Sequence, residues 1–532
     1  MKSRNRMIRK QCLYLKLPKL LEYMRILTLI CFCLISLTSF AQRKPNIVVI
    51  ISDDHSYQTI GAYGSKIGHT PNLDRIAKEG AVFTRGYVTN SICGPSRASL
   101  LTGKYSNKNG FKDNETSNFN HGQNSFVKEL HNNGYQTAWI GKIHLGRKLE
   151  GFDYYSILTG QGHYFNPDFI SSKEGEKEVV AREEGYVADL VTDKALDWLK
   201  EKDKQEPFCL IIGHKNTHRT WMPAIEDFGK NDAKEIPLPE TFYDDYAGRK
   251  AAAEQEMSID KDMQMGYDLK MFENIEKMRA DGNFSRMSDE QFQAYVDYYK
   301  PIYEELKKSN LSGKALAEWK YHRYMVDYLN TAESMDRNIG RVLDYLKEHN
   351  LEDNTLVLYL SDQGFYMGEH GWFDKRFMYE ESFRTPMLMK LPGMIKPSSK
   401  ITGMVSNVDI GPTFLELSGT KVPADMQGRS FLSLLNGKKK DIQNQIYYHY
   451  YENGEHAVSP HFGVSDGRYK LIRFYKRVDA WELYDMKADP REMKNVYGQA
   501  KYKKVQARLE KLLKQEIDRL EDEDANVVLS KN

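Results

Sequence analysis

NIVVIIS, residues Asn46–Ser52, runs without a polar interruption into Asp53-Asp54-His55, and this stretch decides the fold. A strand that is apolar at every position, not at every second one, is suited to burial on both faces, as in parallel sheets. Three further segments repeat the design. Thr137–Gly141 (TAWIG) runs into Lys142-Ile143-His144, Phe208–Gly213 (FCLIIG) into His214-Lys215-Asn216-Thr217-His218, and Thr355–Ser361 (TLVLYLS) into Asp362-Gln363-Gly364. Helical stretches such as Ser125–Asn132 and Asp189–Glu201 lie between them. That alternation predicts an α/β domain with a mainly parallel sheet flanked by helices. Ligands of such sheets bind beyond the C-terminal strand ends. The four ends therefore predict one pocket furnished with carboxylates, lysines and histidines.

Working outward, Met325, Leu329, Ala332, Met335, Ile339, Val342 and Leu346 recur at helical spacing and predict a long helix with one apolar face. Between Pro223 and Glu318 the chain is charged, rich in Met and Tyr and without a strong strand run, so helices and loops beside the site are expected. Composition shifts near Gly428–Lys440. Beyond it, Gln445–Tyr451, Tyr469–Tyr475 and Trp481–Asp485 read as strands and Ala500–Arg519 as a charged helix. Residues 42–435 are thus expected to form the catalytic α/β domain and 436–532 a smaller antiparallel-sheet subdomain carrying a helix.

The chain has 532 residues with 76 Lys+Arg against 74 Asp+Glu, a net charge of +2 that gives no support to nucleic-acid binding. Ile26–Phe40 (ILTLICFCLISLTSF), preceded by Met24-Arg25 and followed by Ala41-Gln42, reads as the apolar core of a secretory leader spanning residues 1–41. Met24 offers an alternative start. The run is short for a membrane span, so an exported, periplasmic or secreted protein is expected, with no span once the leader is removed. Of the five cysteines, Cys12, Cys31, Cys33, Cys93 and Cys209, the leader takes three. A disulfide framework is not expected; at this length a core suffices.

The stretch with most chemistry is Cys93-Gly94-Pro95-Ser96-Arg97, followed by Ala98-Ser99-Leu100-Leu101-Thr102-Gly103-Lys104. Pro95 suits the opening of a helix, because its missing N–H would be unpaired there anyway. Cys93 then sits at a helix N-terminus, where free N–H groups and the dipole favour an anion, and Arg97 adds a cation one turn on. Asp53, Asp54 and Asp362 offer three carboxylates, an oxygen set that suits Ca²⁺ better than Zn²⁺.

Cys-x-Pro-Ser-Arg with the following Thr-Gly-Lys resembles the signature of type I sulfatases. The likeness extends over roughly Lys44 to Arg519 and implies an alkaline-phosphatase-like α/β fold. It implies conversion of Cys93 to formylglycine (3-oxoalanine) by a maturation enzyme, with the hydrated aldehyde as nucleophile. It implies one calcium ion held by Asp53, Asp54, residue 93, Asp362 and Gln363, the last standing where many relatives carry Asn. Gly141-Lys142-Ile143-His144 resembles the family's Gly-Lys-x-His element, and Asp374-Lys375-Arg376 the segment with a second sulfate-contacting lysine. The resemblance thereby assigns Arg97, Lys104, Lys142 and Lys375 to charge stabilisation. It gives His144 the removal of the hydrate's proton and His218 the protonation of the leaving alcohol. Attack on sulfur, departure of the sugar alcohol and elimination of sulfate would follow in turn. His214, Arg219, His370, Arg376, His456 and His461 are candidate sugar contacts.

Ser361–Arg376 and His214–Pro223 most resemble bacterial N-acetylglucosamine-6-O-sulfatases of glycosaminoglycan or mucin breakdown. Iduronate-2-sulfatases share the Gly-Glu-His-Gly element at residues 368–371. A phosphate mono- or diesterase of the same superfamily and a non-catalytic binder of sulfated glycans are the other readings. Sulfate release, assayed beside a phosphate ester, separates them.

Overall fold

The computed structural model describes residues 44–203 and 205–531, so the expected leader lies outside the described residues. In chain order the strands are β1 (Asn46–Ser52), β2 (Ala81–Phe83), β3 (Gly86–Tyr87), β4 (Gln136–Gly141), β5 (Tyr154–Leu158), β6 (Asp168–Lys173), β7 (Val179–Arg182), β8 (Phe208–Gly213), β9 (Thr355–Ser361), β10 (Met387–Lys390), β11 (Ser399–Ile401) and β12 (Val405–Ser406), followed by β13 (Ile446–Tyr450), β14 (His461–Ser465), β15 (Tyr469–Phe474) and β16 (Ala480–Asp485). Ten of them form one sheet in the order β11-β2-β10-β9-β1-β8-β4-β5-β6-β7. Its centre, β9-β1-β8-β4-β5, is parallel, with Ile47 level with both Cys209 and Leu356. On one side follow β10, antiparallel to β9, then β2, antiparallel to β10, and β11, parallel to β2; on the other the antiparallel β6 and β7 complete the sheet.

The reason Ile47–Ile51 of β1 is an unbroken apolar run is visible in the strand's two faces. Val48 and Ile50 pack into a core shared with Val187, Val191 and the helix Gly313–Glu348, whereas Ile47, Val49 and Ile51 enter another with Ala98, Phe126 and Phe414. All five are fully buried, each such side chain contributing about 1.5–3 kcal/mol. The long helix carries the predicted apolar face but starts earlier, at Gly313. The segment before it contains the helices Lys250–Glu254, Ile275–Ala280 and Asp289–Ser309 and, among the described residues, no named strand.

The last four strands form an antiparallel meander in sequence order. One face takes Leu509, Leu513 and Ile517 of the helix Lys503–Leu520; the other packs Tyr448, Ile472 and Phe474 on Trp372, Phe377 and Phe383 of the large-sheet part. Strand β14 was not expected, because Gly463 breaks its apolar run. There a Cβ would lie 2.3 Å from the Leu471 carbonyl oxygen, so close pairing with β15 requires glycine. Strands β6 and β7 were missed as well; β7 (VVAR) is exposed at every residue, Val179 and Val180 included, so it has no buried face to impose an alternating pattern.

Candidate active site

The carboxylates follow from the sheet. Asp53 and Asp54 leave the end of β1 and Asp362 and Gln363 leave β9, its hydrogen-bonded neighbour; the Asp362 N–H donates to the Ser52 carbonyl at 3.1 Å. Asp54 adopts φ 67° and is held there by Tyr328 and Thr217 hydroxyls on its carbonyl, at 2.7 and 3.1 Å. Its N–H donates to Asp362 Oδ1 at 3.2 Å. Next door, β4 and β8 end at Gly141 and Gly213, where the Lys142 N–H donates to the Gly213 carbonyl at 2.7 Å. The helix Cys93–Thr102 begins at Cys93 itself, two residues before the proline expected to open it.

One oxygen each from Asp53, Asp54 and Asp362 lies within 4.8 Å of the others, and all three residues are buried. Lys142 pairs with Asp53, Lys375 Nζ with Asp54 Oδ2 at 2.7 Å, and Arg97 Nε with Asp362 Oδ2 at 2.9 Å. Burial alone would raise the Asp53 carboxyl, but Lys142, with His218, Arg97 and Lys375, outweighs it and holds the group well below its ordinary range. Burial pushes Asp54 up to about 6 against the pull of Lys375. Asp362 rises to about 7 through burial and the charge of Asp53, against Arg97. Asp54 and Asp362, which resist ionisation, crowd against the ionised Asp53, and together the three are a donor set that a hard divalent cation stabilises. Gln363 fits: its Nε2 lies 2.5 Å from Asp54 Oδ1, and its buried Oε1 has no hydrogen-bond partner, so turning the amide over presents an oxygen to the cluster.

Cys93 Sγ donates to Asp53 Oδ1 at 3.2 Å, and Gln363 Nε2 stands 3.7 Å from the sulfur. Asp53, Cys93 and His218 likewise bring ligand atoms within 4.8 Å. Burial first, then Asp53, pushes the thiol well above its ordinary range, so unmodified Cys93 is a protonated thiol and a poor nucleophile. His218 Nδ1 lies 2.6 Å from the Arg219 carbonyl. A carbonyl only accepts, so Nδ1 carries the hydrogen and Nε2 is free for proton exchange. Burial, then Lys142, pushes His218 well below the imidazole range and His144 down to about 3. Burial takes His214 to about 4.

The structure therefore brings Asp53, Asp54, Cys93, Arg97, Lys142, His218, Asp362, Gln363 and Lys375 together, with His144 within electrostatic reach of Lys142 and Asp53. Lys104 points elsewhere: its Nζ pairs with Asp425 Oδ2 at 2.5 Å. Arg219 grips Asp268 through Nε and Nη2 at 2.6 and 2.9 Å and stands 3.4 Å from His456, which reaches Asp374 Oδ2 at 3.2 Å. Arg376 pairs with Glu452 at 2.6 Å. Two expected sugar contacts require correction. His461 is fully buried, stacked on Phe377 and Tyr448, with both ring nitrogens engaged by Ser459 and Met378 backbone. His370 is fully buried beside Trp372 and Tyr379 and paired with Asp244 at 2.7 Å. Both are interior residues, because strand β14 and the 368–371 turn lie under side chains that the sequence does not place nearby. Sequence reasoning missed Asp374, which sits inside the quoted Asp-Lys-Arg segment, and Asp268, Gln161 and Glu452, for which it holds no signal.

The family profile described as Sulfatase matches residues 45–420, and the profile described as N-sulphoglucosamine sulphohydrolase, C-terminal, matches residues 368–519. An N-acetylglucosamine-6-O-sulfatase of Bacteroides thetaiotaomicron is 46% identical over 495 residues, which are 91% of this chain and 88% of that protein. A solved structure described as a complex with its substrate D-glucosamine-2-N,6-O-disulfate superposes with a TM-score of 0.87 at 45% identity, covering 91% of this chain and 99% of the other. The phosphonate monoester hydrolase of Agrobacterium radiobacter, at 18% identity and a TM-score of 0.64 over 89% and 96% of the two chains, shares the fold.

Proposed function

Because the chain belongs to the sulfatase family and is thereby a sulfuric ester hydrolase, we propose that it is an exported enzyme removing the 6-O-sulfate of glucosamine residues, N-acetylated or otherwise, from glycosaminoglycan or mucin glycans. The observation that carries this reading is Cys93 Sγ lying 3.2 Å from Asp53 in a buried cluster of three carboxylates, two lysines and an arginine. The named relative and the substrate complex support the 6-O position. The leader-like Ile26–Phe40 supports export. Residues 42–435 form the catalytic part and 436–532 the antiparallel subdomain in this reading.

Asp53, Asp54, Asp362 and Gln363 would hold calcium, which when bound lends Lewis acidity and a template for anionic oxygens. Residue 93, converted by a maturation enzyme to formylglycine, would supply a hydrated aldehyde where the thiol is an inert donor. Arg97 holds Asp362 and, through Nη1, the Lys142 carbonyl at 2.8 Å, so it fixes two strand ends at once. Lys142 and Lys375 place ammonium groups beside the position where negative charge develops. His144 accepts a proton from residue 93, and His218 Nε2 gives one to the leaving oxygen. An anionic ester raises the His218 ring from its depressed resting state toward working pH.

Two measurements test the reading. Intact mass of the peptide around residue 93, from a host able to mature sulfatases, should show loss of the thiol. Sulfate release from a panel of 6-O-, 2-O- and N-sulfated sugars, beside a phosphate ester, should be fastest with 6-O-sulfated glucosamines. Full activity with an unmodified thiol, or preference for the phosphate ester, would overturn it.

A further inference from the structure

Among the described residues, the buried lysines are each met by at least two oxygen atoms, with two exceptions. Lys270 has Thr220, Trp221 and Asp327; Lys390 has Glu79 and Glu352; Lys470 has Glu380 and Glu492. Lys320 has two backbone carbonyls. Lys142 has Asp53 and Gln161. The exceptions are Lys375, which belongs to the site, and Lys215. Lys215 is 5% exposed, and its Nζ donates at 3.1 Å to one group, the Gln161 carbonyl, while lying 5.0 Å from the Tyr164 ring centre. Among the described residues it has no carboxylate partner. An ammonium carries three donors, so two remain to be satisfied, and an uncompensated buried charge is costly. Burial, and then the neighbouring Lys142 charge, pulls its pKa down to about 7, a state that an anion between the two lysines would reverse.

One residue touches both ammonium groups. Gln161 presents its side-chain oxygen to Lys142 and its main-chain oxygen to Lys215. It is exposed at the tip of the β5–β6 connection, between Gly160 and Gly162 at φ 55° and 70°, a shape that favours glycine at both flanks. The same loop ends on Tyr164, whose hydroxyl donates to the His218 carbonyl at 2.5 Å.

We propose that Lys215 is a further substrate-binding residue, donating beside Lys142 to oxygens of the sulfate ester, and that Gln161 is the positioning residue that spaces the two ammonium groups. The assignment rests on the reading of the site as a sulfatase centre. Lys215→Met, Lys215→Arg and Gln161→Ala are made in the full chain, and affinity for inorganic sulfate, KM, kcat and melting temperature are measured. Lys215→Met should weaken sulfate and raise KM about tenfold or more, as loss of a charge-assisted hydrogen bond does, while Lys215→Arg keeps both within a few-fold. Gln161→Ala should shift both the same way, by about threefold, with an unchanged melting temperature. Unchanged sulfate affinity in Lys215→Met, or a lowered melting temperature in Gln161→Ala with KM preserved, overturns the assignment. If Lys215→Met does not fold, Gln161→Ala decides alone: wild-type sulfate affinity there overturns it. A wild-type chain that neither binds sulfate nor cleaves any sulfate ester would instead sink the functional reading itself.

Discussion

Cys93 and its neighbours show how one residue's role depends on charge it does not carry. The thiol is held protonated by burial and by Asp53, so its chemistry must come from something other than a thiolate. Cys93→Ala removes one sulfur from a close-packed position and should leave the protein folded, while turnover falls at least about 10³-fold, as in other enzymes stripped of a nucleophile. Asp54 and Asp362 belong to the same balance. With the cation removed by a chelator, sulfate release should be lost and then restored by added calcium. Asp362→Asn should lower calcium affinity by about 100-fold or more, since a ligand carboxylate outweighs its supporting partners. Calorimetric titration of the folded variant checks this, and unchanged calcium binding would remove Asp362 from the metal centre.

Strand ends and helix ends are where the elements do their positioning. Gly141 and Gly213 let β4 and β8 close on one another; a Cβ on Gly213 would lie 2.1 Å from the Lys142 carbonyl. Gly213→Ala is therefore expected to cost about 1–3 kcal/mol, the usual range for overpacking, and to displace Lys142, visible as a lower urea midpoint together with a raised KM. At the other side of the sheet Asp336, on the long helix, accepts the N–H groups of Asn72 and Leu73 at 3.0 and 2.9 Å and so caps the helix Pro71–Glu79. Burial nonetheless raises its carboxyl from 3.8 to about 6. The folded chain keeps that proton to a higher pH than the unfolded chain, so this residue costs stability as pH rises from about 4 to 6. Asp336→Asn, which has no proton to lose, should flatten that part of the pH profile, measured as the wild-type-minus-variant difference in urea midpoint.

At the largest scale, the described residues beyond Lys44 form one compact unit that includes the ten-stranded sheet, the β3–β12 pair and the four-stranded sheet. Arg376 shows why the small sheet matters to the site: its side chain pairs with Glu452 and its carbonyl accepts from Tyr448, one residue away from Lys375. Deleting 436–532 would strip the apolar partners from Trp372, Phe377 and Phe383. The truncated chain is expected to be insoluble or to melt far below the full one, and a soluble, active fragment would show that the large-sheet part stands alone.

Local pattern was enough for the parallel strands, the long helix face, the Cys-x-Pro-Ser-Arg motif and the carboxylates at strand ends. Periodicity and a short motif are properties of neighbouring residues, and a strand that is apolar on both faces has few places to go. The sequence also carried the likeness to sulfatases on which the substrate class depends. It could not decide which histidines meet solvent. Nothing local marks His370 and His461 as interior residues, yet the fold packs them among aromatic rings. Nor could it find Gln161 against Lys142 and Lys215, or Asp425 drawing Lys104 away. Those pairings join residues far apart in the chain, and only tertiary packing determines which buried charges acquire a partner and which are left facing a ligand.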